Sequence, residues 1–287
     1  MSGAKVVVVL SGGGAKAAAH VGALKALDER GITPTQYVAT SMGAVIAACF
    51  ASGLSYSAVL RRITSIAKRD VAAISPSVVL GLFATSLLRA DPLRQTIERL
   101  VPARQFAELE VPLTVTTVDA KSGELLLLGT GGRTNVSLVD ALYASCALPL
   151  YYPPGRVDNR DCIDGGMRAV LPLDVAAKFD PDIAFAVDVG PSLRAEPPER
   201  DSQIPALVRA HGDAMRVLMA AQAEEAIARW RSNKMPLVLI TPTHRQQATF
   251  AVGSVVTYVE EGYRAAIRAL DRWVSPHAGG ADCQQPA

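Results

Sequence analysis

Residues 5–51 read KVVVVLSGGGAKAAAHVGALKALDERGITPTQYVATSMGAVIAACFA, and the order of elements in this stretch decides the fold class. Residues 5–10 (KVVVVL) are a β-branched run of the kind found in a strand buried on both faces. The SGGG at 11–14 breaks it. Residues 15–30 then read as a helix, with Ala19, Val21, Leu24 and Leu27 apolar and Gly31 placed as a C-terminal stop. Residues 37–40 (YVAT) make a second short strand, and 43–51 (GAVIAACFA) a helix apolar all round and hence buried. Strand, glycine turn, helix, strand, sharp turn, helix is the opening of a parallel α/β sheet.

The rest of the chain continues in the same manner. Residues 56–69 and 92–100 read as helices, the second with Asp91 as N-cap and Pro92 as its first residue. Strands are expected at 111–118 (VPLTVTTV) and 124–128 (ELLLL) around a turn at 119–123, then a helix at 137–147 that stops before Pro149. Strands at 183–189 and 237–241 and helices at 206–230 and 258–273 follow. Residues 276–287 are expected to be a disordered tail.

Of the 287 residues, 49% are hydrophobic and 20% charged, ample for a sizeable core, and with aromatics at 5% that core is mainly aliphatic. The net charge of +2 and the absence of a polybasic block argue for no nucleic-acid partner and no electrostatic membrane tether. Cys49, Cys146, Cys162 and Cys283 show no CxxC spacing, so neither a metal site nor a disulfide framework is expected, and reduced thiols in a cytoplasmic setting are the default. No signal-peptide pattern opens the chain, and no stretch approaches the about 18 apolar residues of a membrane span.

Three segments carry chemistry. Ser11-Gly12-Gly13-Gly14-Ala15-Lys16 follows a strand and opens a helix, where free N–H groups attract a phosphate, a dinucleotide or an oxyanion. Gly12-x-Gly14-x-x-Ala17 passes as a dinucleotide fingerprint, but the second strand ends at Thr40 without the expected acid, and Lys16 does not complete a Walker A loop. Ala39-Thr40-Ser41-Met42-Gly43 nearly matches the nucleophile elbow G-x-S-x-G, which holds a serine exposed and offers the next N–H, that of Met42, at a helix start. The bland alternative is a serine N-cap. With both motifs on consecutive strands, the glycine loop can offer N–H donors to the oxyanion formed when Ser41 attacks a carbonyl. The third is Asp164-Gly165-Gly166. Serine needs a base, and an aspartate followed by small residues can approach it directly, although a turn acid reads the same way. Of four histidines, His20 and His211 lie on helices, His244 follows a strand and His277 is in the tail; His211 or His244 fits a Ser-acid-His order without a supporting motif.

In order and spacing these segments resemble the patatin-like phospholipase family. The resemblance rests on Ser11 to Lys16, on Thr40-Ser41-Met42-Gly43-Ala44, on Ala144-Ser145-Cys146-Ala147-Leu148-Pro149 with Tyr152-Pro153-Pro154, and on Asp164-Gly165-Gly166. It extends over about residues 5–190. It implies a three-layer α/β sandwich with a central, mostly parallel sheet, a catalytic core over 5–190, and residues 191–275 completing the same domain. It further implies Ser41 as nucleophile, Asp164 as its partner in a Ser-Asp dyad, Gly12, Gly13 and Gly14 as the oxyanion loop, and Lys16 at a usual basic position. Gly43, Gly165 and Gly166 support these motifs. The implied activity is hydrolysis of lipid acyl esters, of phospholipase A or lysophospholipase type, without metal or cofactor and with peripheral contact at a membrane surface. An acyltransferase or a catalytically silent lipid-binding module are the alternatives. Ala39 and Ala17 replace family glycines; a methyl at 39 costs about 1 kcal/mol if that position needs positive φ. Residues 78–88 (VVLGLFATSLL) read as a buried helix or strand, or as a lid that meets lipid. Nothing in the sequence signals an oligomeric state.

Overall fold

The computed structural model describes residues 3–75, 86–193, 205–242 and 255–274. The valine run becomes strand β1 (Val6–Leu10), buried along its whole length. Side chains alternate between the faces of a strand, and here each face has its own core. Val6, Val8 and Leu10 join one apolar cluster, while Val7 and Val9 join another. The sheet is therefore the middle of three layers.

A short 3-10 turn (Gly14–Ala17) leads from β1 into α1 (Ala18–Glu29), followed by β2 (Gln36–Thr40) and α2 (Met42–Ala51). Next come α3 (Tyr56–Thr64), α4 (Lys68–Val71), α5 (Ala90–Leu100), β3 (Leu113–Asp119), β4 (Leu125–Gly129) and α6 (Leu138–Cys146). The hairpin β5 (Gly155–Val157) and β6 (Arg160–Asp164) precedes α7 (Gly166–Ala169), α8 (Leu173–Ala176) and β7 (Ile183–Val187). Then α9 (Ala206–Ser232), β8 (Leu237–Ile240) and α10 (Val255–Val274) complete the described residues. The sheet runs β5-β6-β3-β2-β1-β7-β8, with β4 also on β3. Pairs β1–β2, β1–β7, β2–β3 and β7–β8 are parallel; β3–β4, β3–β6 and β5–β6 are antiparallel. Residues of α1, α2, α5, α6 and α10 fill one core, and Val170, Leu173, Ala223, Ala226 and Trp230 of the α7–α8 region and α9 fill the other.

Three departures from the sequence expectations have a local cause, and the short helices α7 and α8 were likewise not expected. The helix expected over 56–69 is two helices. Thr64 and Ser65 turn their hydroxyls back onto the carbonyls of Leu60 and Arg62, at 2.8 and 2.7 Å, and the Asp70 carboxylate restarts the chain by accepting from Ala67 N–H at 2.8 Å. Helix α5 begins earlier than its expected cap. Arg89 is the N-cap, Asp91 binds Arg89, and Pro92 sits in the first turn, where a missing N–H costs nothing. The β5–β6 hairpin was not expected at all. Its turn, Asp158 and Asn159 with φ 47° and 63°, has the two left-handed residues of a type I′ turn.

The segment at 78–88 lies outside the described residues over 78–85, as do His244, His277 and the tail. Among the described residues no helix is long and apolar enough to cross a membrane.

Candidate active site

Two strands share one edge of β3. β2 pairs with residues 113–116, Thr40 lying opposite Thr116, and β6 pairs with 117–119, Asp164 lying opposite Thr117. β4 takes the other edge, over 114–118. The end of β2 therefore abuts the end of β6, and Ser41, the residue after Thr40, meets Asp164. The Ser41 hydroxyl donates to Asp164 Oδ2 at 2.7 Å. Threonines hold the junction. Thr40 donates to the Ala169 carbonyl at 2.7 Å and its Oγ1 lies 2.7 Å from that of Thr116, while Thr117 donates to the Ile163 carbonyl at 2.7 Å.

Ser41 has φ 54° and ψ −134°, a conformation that costs on the order of 1–3 kcal/mol for a residue with a side chain. Its surroundings over-determine it. The Ser41 N–H donates to the Ser145 hydroxyl at 2.8 Å, and the Ser41 carbonyl accepts from Ala44 at 2.8 Å as α2 begins. Gly43 permits the turn to seat against the glycine loop, since a Cβ there would stand 2.3 Å from the Ser11 carbonyl oxygen. Ala39 lies in β2, opposite Leu10 of β1 and Val115 of β3, and Ala17 has ordinary right-handed backbone. Neither alanine sits at a strained position, so the two departures from the family pattern carry no backbone cost here.

Asp164 is 4% exposed. Its Oδ1 accepts from Gly166 N–H at 2.7 Å, its own N–H donates to the Ala147 carbonyl at 3.0 Å, and Gly165 N–H donates to the Ser145 carbonyl at 3.4 Å. The end of α6 thus holds both partners of the pair. Burial pushes the Asp164 carboxyl up to about 6, with the Ser41 and Gly166 hydrogen bonds pulling the other way. The group is ionised at neutral pH and takes up a proton near pH 6, a value suited to a base. In the role of a base Asp164 would work deprotonated, and kcat/KM on a soluble ester would then fall as pH drops through about 6; a profile flat from pH 7 to 5 would exclude that role. For stability the sign is opposite. The folded-state pKa lies above the ordinary carboxylate value, so this group stabilises the fold most at acid pH, and that contribution is lost as pH rises through about 6.

The glycine loop lies beside the Ser41–Asp164 pair. Of its expected oxyanion donors, Gly12 is a correction: its N–H is committed to the Val170 carbonyl at 2.9 Å. Gly12 is close to the serine instead, a Cβ there standing 3.3 Å from Ser41 Cβ. Among the described residues the N–H groups of Gly13, Gly14 and Met42 have no protein acceptor. Gly14 has φ 57°, the left-handed region glycine enters without penalty.

The chain after β7 clasps this loop. Ser11 N–H donates to the Val187 carbonyl at 3.1 Å, and Val189 N–H donates to the Ser11 hydroxyl at 2.8 Å. Asp188, whose Oδ1 accepts from Gly190 N–H at 3.0 Å, faces Lys16. Burial pushes the Lys16 ammonium down and the Asp188 carboxyl up, and each one's charge opposes the other's shift.

Two contributors escaped the sequence reading. Ser145 stood inside a quoted motif without a role, and Asp188 closes an otherwise apolar run (IAFAVDV), the signal that could have singled it out. Among the described histidines, neither partners Ser41. His20 Nε2 lies 2.9 Å from the Ser11 carbonyl, and the His211 ring lies 6.3 Å from that of Tyr151. Cys146 is buried with its Sγ 3.9 Å from Met42 Sδ, and burial pushes its thiol well up.

The model of the family described as patatin-like phospholipase matches residues 8–177. The chain is 30% identical over 192 residues to patatin-like phospholipase domain-containing protein 6 of Homo sapiens, covering 66% of this chain and 14% of that protein. It is 30% identical over 202 residues to an uncharacterized NTE family protein of Mycobacterium tuberculosis, covering 68% of this chain and 53% of the other. The chain therefore spans only part of these relatives. Among solved structures, VipD from Legionella pneumophila superposes with a TM-score of 0.48 at 14% identity, over 94% of this chain and 67% of that one.

Proposed function

This chain belongs to the patatin-like phospholipase family, and from that premise we propose that it is a serine acyl-ester hydrolase acting on lipids through a Ser41–Asp164 dyad. The observation that carries the reading is the 2.7 Å bond from the Ser41 hydroxyl to a buried carboxylate, made at a strained strand-to-helix turn.

In the proposed reaction Asp164 Oδ2 takes the Ser41 proton as Oγ bonds to the acyl carbon. The carbonyl π electrons move to oxygen, and the oxyanion is met by the N–H groups of Gly13, Gly14 and Met42. Collapse breaks the ester C–O bond, and the departing alkoxide takes the proton from Asp164. Water then repeats the sequence on the acyl-enzyme, releasing the fatty acid and restoring Ser41. No step calls on a histidine. A phospholipid or lysophospholipid, met at a membrane surface, is the proposed substrate.

An active-site fluorophosphonate probe tests this. It is expected to label wild-type protein at Ser41 and to leave Ser41→Ala unlabelled. Well-folded wild-type protein that stays unlabelled would instead make the chain a silent lipid-binding module. Product analysis with a competing alcohol acceptor separates hydrolysis from acyl transfer.

A further inference from the structure

One short stretch of chain, residues 187–190 after β7, grips the glycine loop from its start to its end. Ser11, which opens the loop, is fully buried. Its N–H donates to the Val187 carbonyl at 3.1 Å, and its hydroxyl oxygen accepts from Val189 N–H at 2.8 Å. Gly13, in the middle, lies against Val189: a Cβ there would stand 2.6 Å from Val189 Cγ2 and 3.0 Å from its carbonyl oxygen. Lys16, at the far end, faces Asp188, and their opposite charges attract.

Residues 188–190 hold the shape that makes these contacts because of Asp188. Its Oδ1 accepts from the N–H of Gly190, two residues on, at 3.0 Å, a side-chain bond that closes a turn. Its own N–H donates to the Ile240 carbonyl at 2.9 Å, which fixes it to β8. The turn points the Val189 N–H at Ser11 and places the Val189 side chain under Gly13. The Ser11 hydroxyl also faces the Asp188 carboxylate.

Three successive glycines have little conformational preference of their own, since glycine loses more freedom on ordering than any other residue. The direction of their N–H groups therefore has to be imposed by what surrounds them. Donors that are already aimed stabilise an oxyanion, because no reorganisation is needed as the charge develops. We infer that Asp188 is a positioning residue for the oxyanion. By folding the turn at 188–190 against Ser11 and Gly13 and attracting Lys16, it aims the Gly13 and Gly14 N–H groups at the carbonyl oxygen of the ester that Ser41 attacks. The inference rests on the hydrolase reading above.

Steady-state kinetics on a soluble ester, with backbone order parameters of Gly13 and Gly14 measured by NMR, test it. An interaction made only in the transition state changes kcat and leaves KM alone. Asp188→Ala is expected to lower kcat by ~10²-fold, comparable to loss of one oxyanion donor, with KM within about twofold of wild type. A trifluoromethyl ketone, which forms a tetrahedral oxyanion on Ser41, is expected to bind more weakly by the same factor as kcat falls. The order parameters of Gly13 and Gly14 are expected to drop from about 0.85 to below ~0.6. Ser11→Ala removes the hydroxyl that Val189 holds, and it is expected to cost about tenfold in kcat, again without a change in KM; it decides the matter if Asp188→Ala does not fold. Folded Asp188→Ala with wild-type kcat overturns the inference, as does one in which KM rises and kcat stays. Unchanged order at Gly13 and Gly14 overturns it whatever the activity. Wild-type protein that neither turns over the ester nor takes a fluorophosphonate strikes the hydrolase reading instead, and the order parameters then still judge the hold of Asp188 on the loop.

Discussion

Asp164→Asn is expected to lower kcat/KM on a soluble ester by ~10³–10⁴-fold, the loss typical of a general base removed from a serine nucleophile. The substitution isolates the chemistry because asparagine can keep both contacts of the carboxylate. Its Oδ1 can accept from Gly166 N–H, which stands 2.7 Å from the present Oδ1, and its amide can face the Ser41 hydroxyl at the present 2.7 Å. What disappears is proton acceptance. The ionised carboxylate is buried at a cost, as its pKa near 6 records, so the variant is expected to melt no lower than wild type at neutral pH. Calorimetry and steady-state kinetics on the same sample check both halves. A variant with full turnover removes Asp164 from the mechanism even if Ser41 still labels.

Gly43→Ala is expected to be nearly as damaging, for a geometric reason. Its Cβ would stand 2.3 Å from the Ser11 carbonyl oxygen and 2.9 Å from that of Leu10, both backbone atoms without rotamers to escape through. Helix α2 would have to draw back from the glycine loop, carrying Ser41 with it. A displacement of about 1 Å between reacting groups can cost ~10² in rate, and overpacking a close-packed contact costs about 1–3 kcal/mol. The expected result is kcat/KM down by ~10²-fold or more and a Tm lower by roughly 3–10 °C. Asp164→Asn keeps its Tm and loses turnover, whereas Gly43→Ala loses both. Retained activity in Gly43→Ala would mean that α2 and the loop need not touch for the oxyanion to be held.

Much of the sheet was legible in advance because its central strands are buried on both faces and rich in β-branched or apolar residues. Residues 6–10 and 183–187 are unbroken apolar runs, while 36–40 (QYVAT) and 113–119 (LTVTTVD) are buried throughout and interleave threonine with apolar residues. The β5–β6 hairpin was not legible. Three- and five-residue strands carrying Arg156, Arg160 and Asp161 have too few apolar positions to show a period, and only the Asp158–Asn159 turn announces them. The split between α3 and α4 was hidden for a related reason: the hydroxyls of Thr64 and Ser65 compete with the helix locally, and composition does not reveal which competitor wins.

The candidate site divides along the same line. By itself the sequence determined what depends on neighbours in the chain. That covers a glycine turn after one buried strand, a serine at a sharp turn after the next, small residues after an aspartate, and their resemblance to one family. Tertiary structure decided which of these groups meet. Ser41 and Asp164 are 123 residues apart, and they bond because β3 offers Thr116 to the strand that ends at Thr40 and Thr117 to the strand that ends at Asp164. It also committed the Gly12 N–H to Val170, left the Gly13 and Gly14 N–H groups without a protein acceptor among the described residues, and brought Ser145 under the Ser41 amide. A hydrogen bond selects its partner by position to within a few tenths of an ångström, and those positions are set by sheet register and packing, which local sequence does not encode.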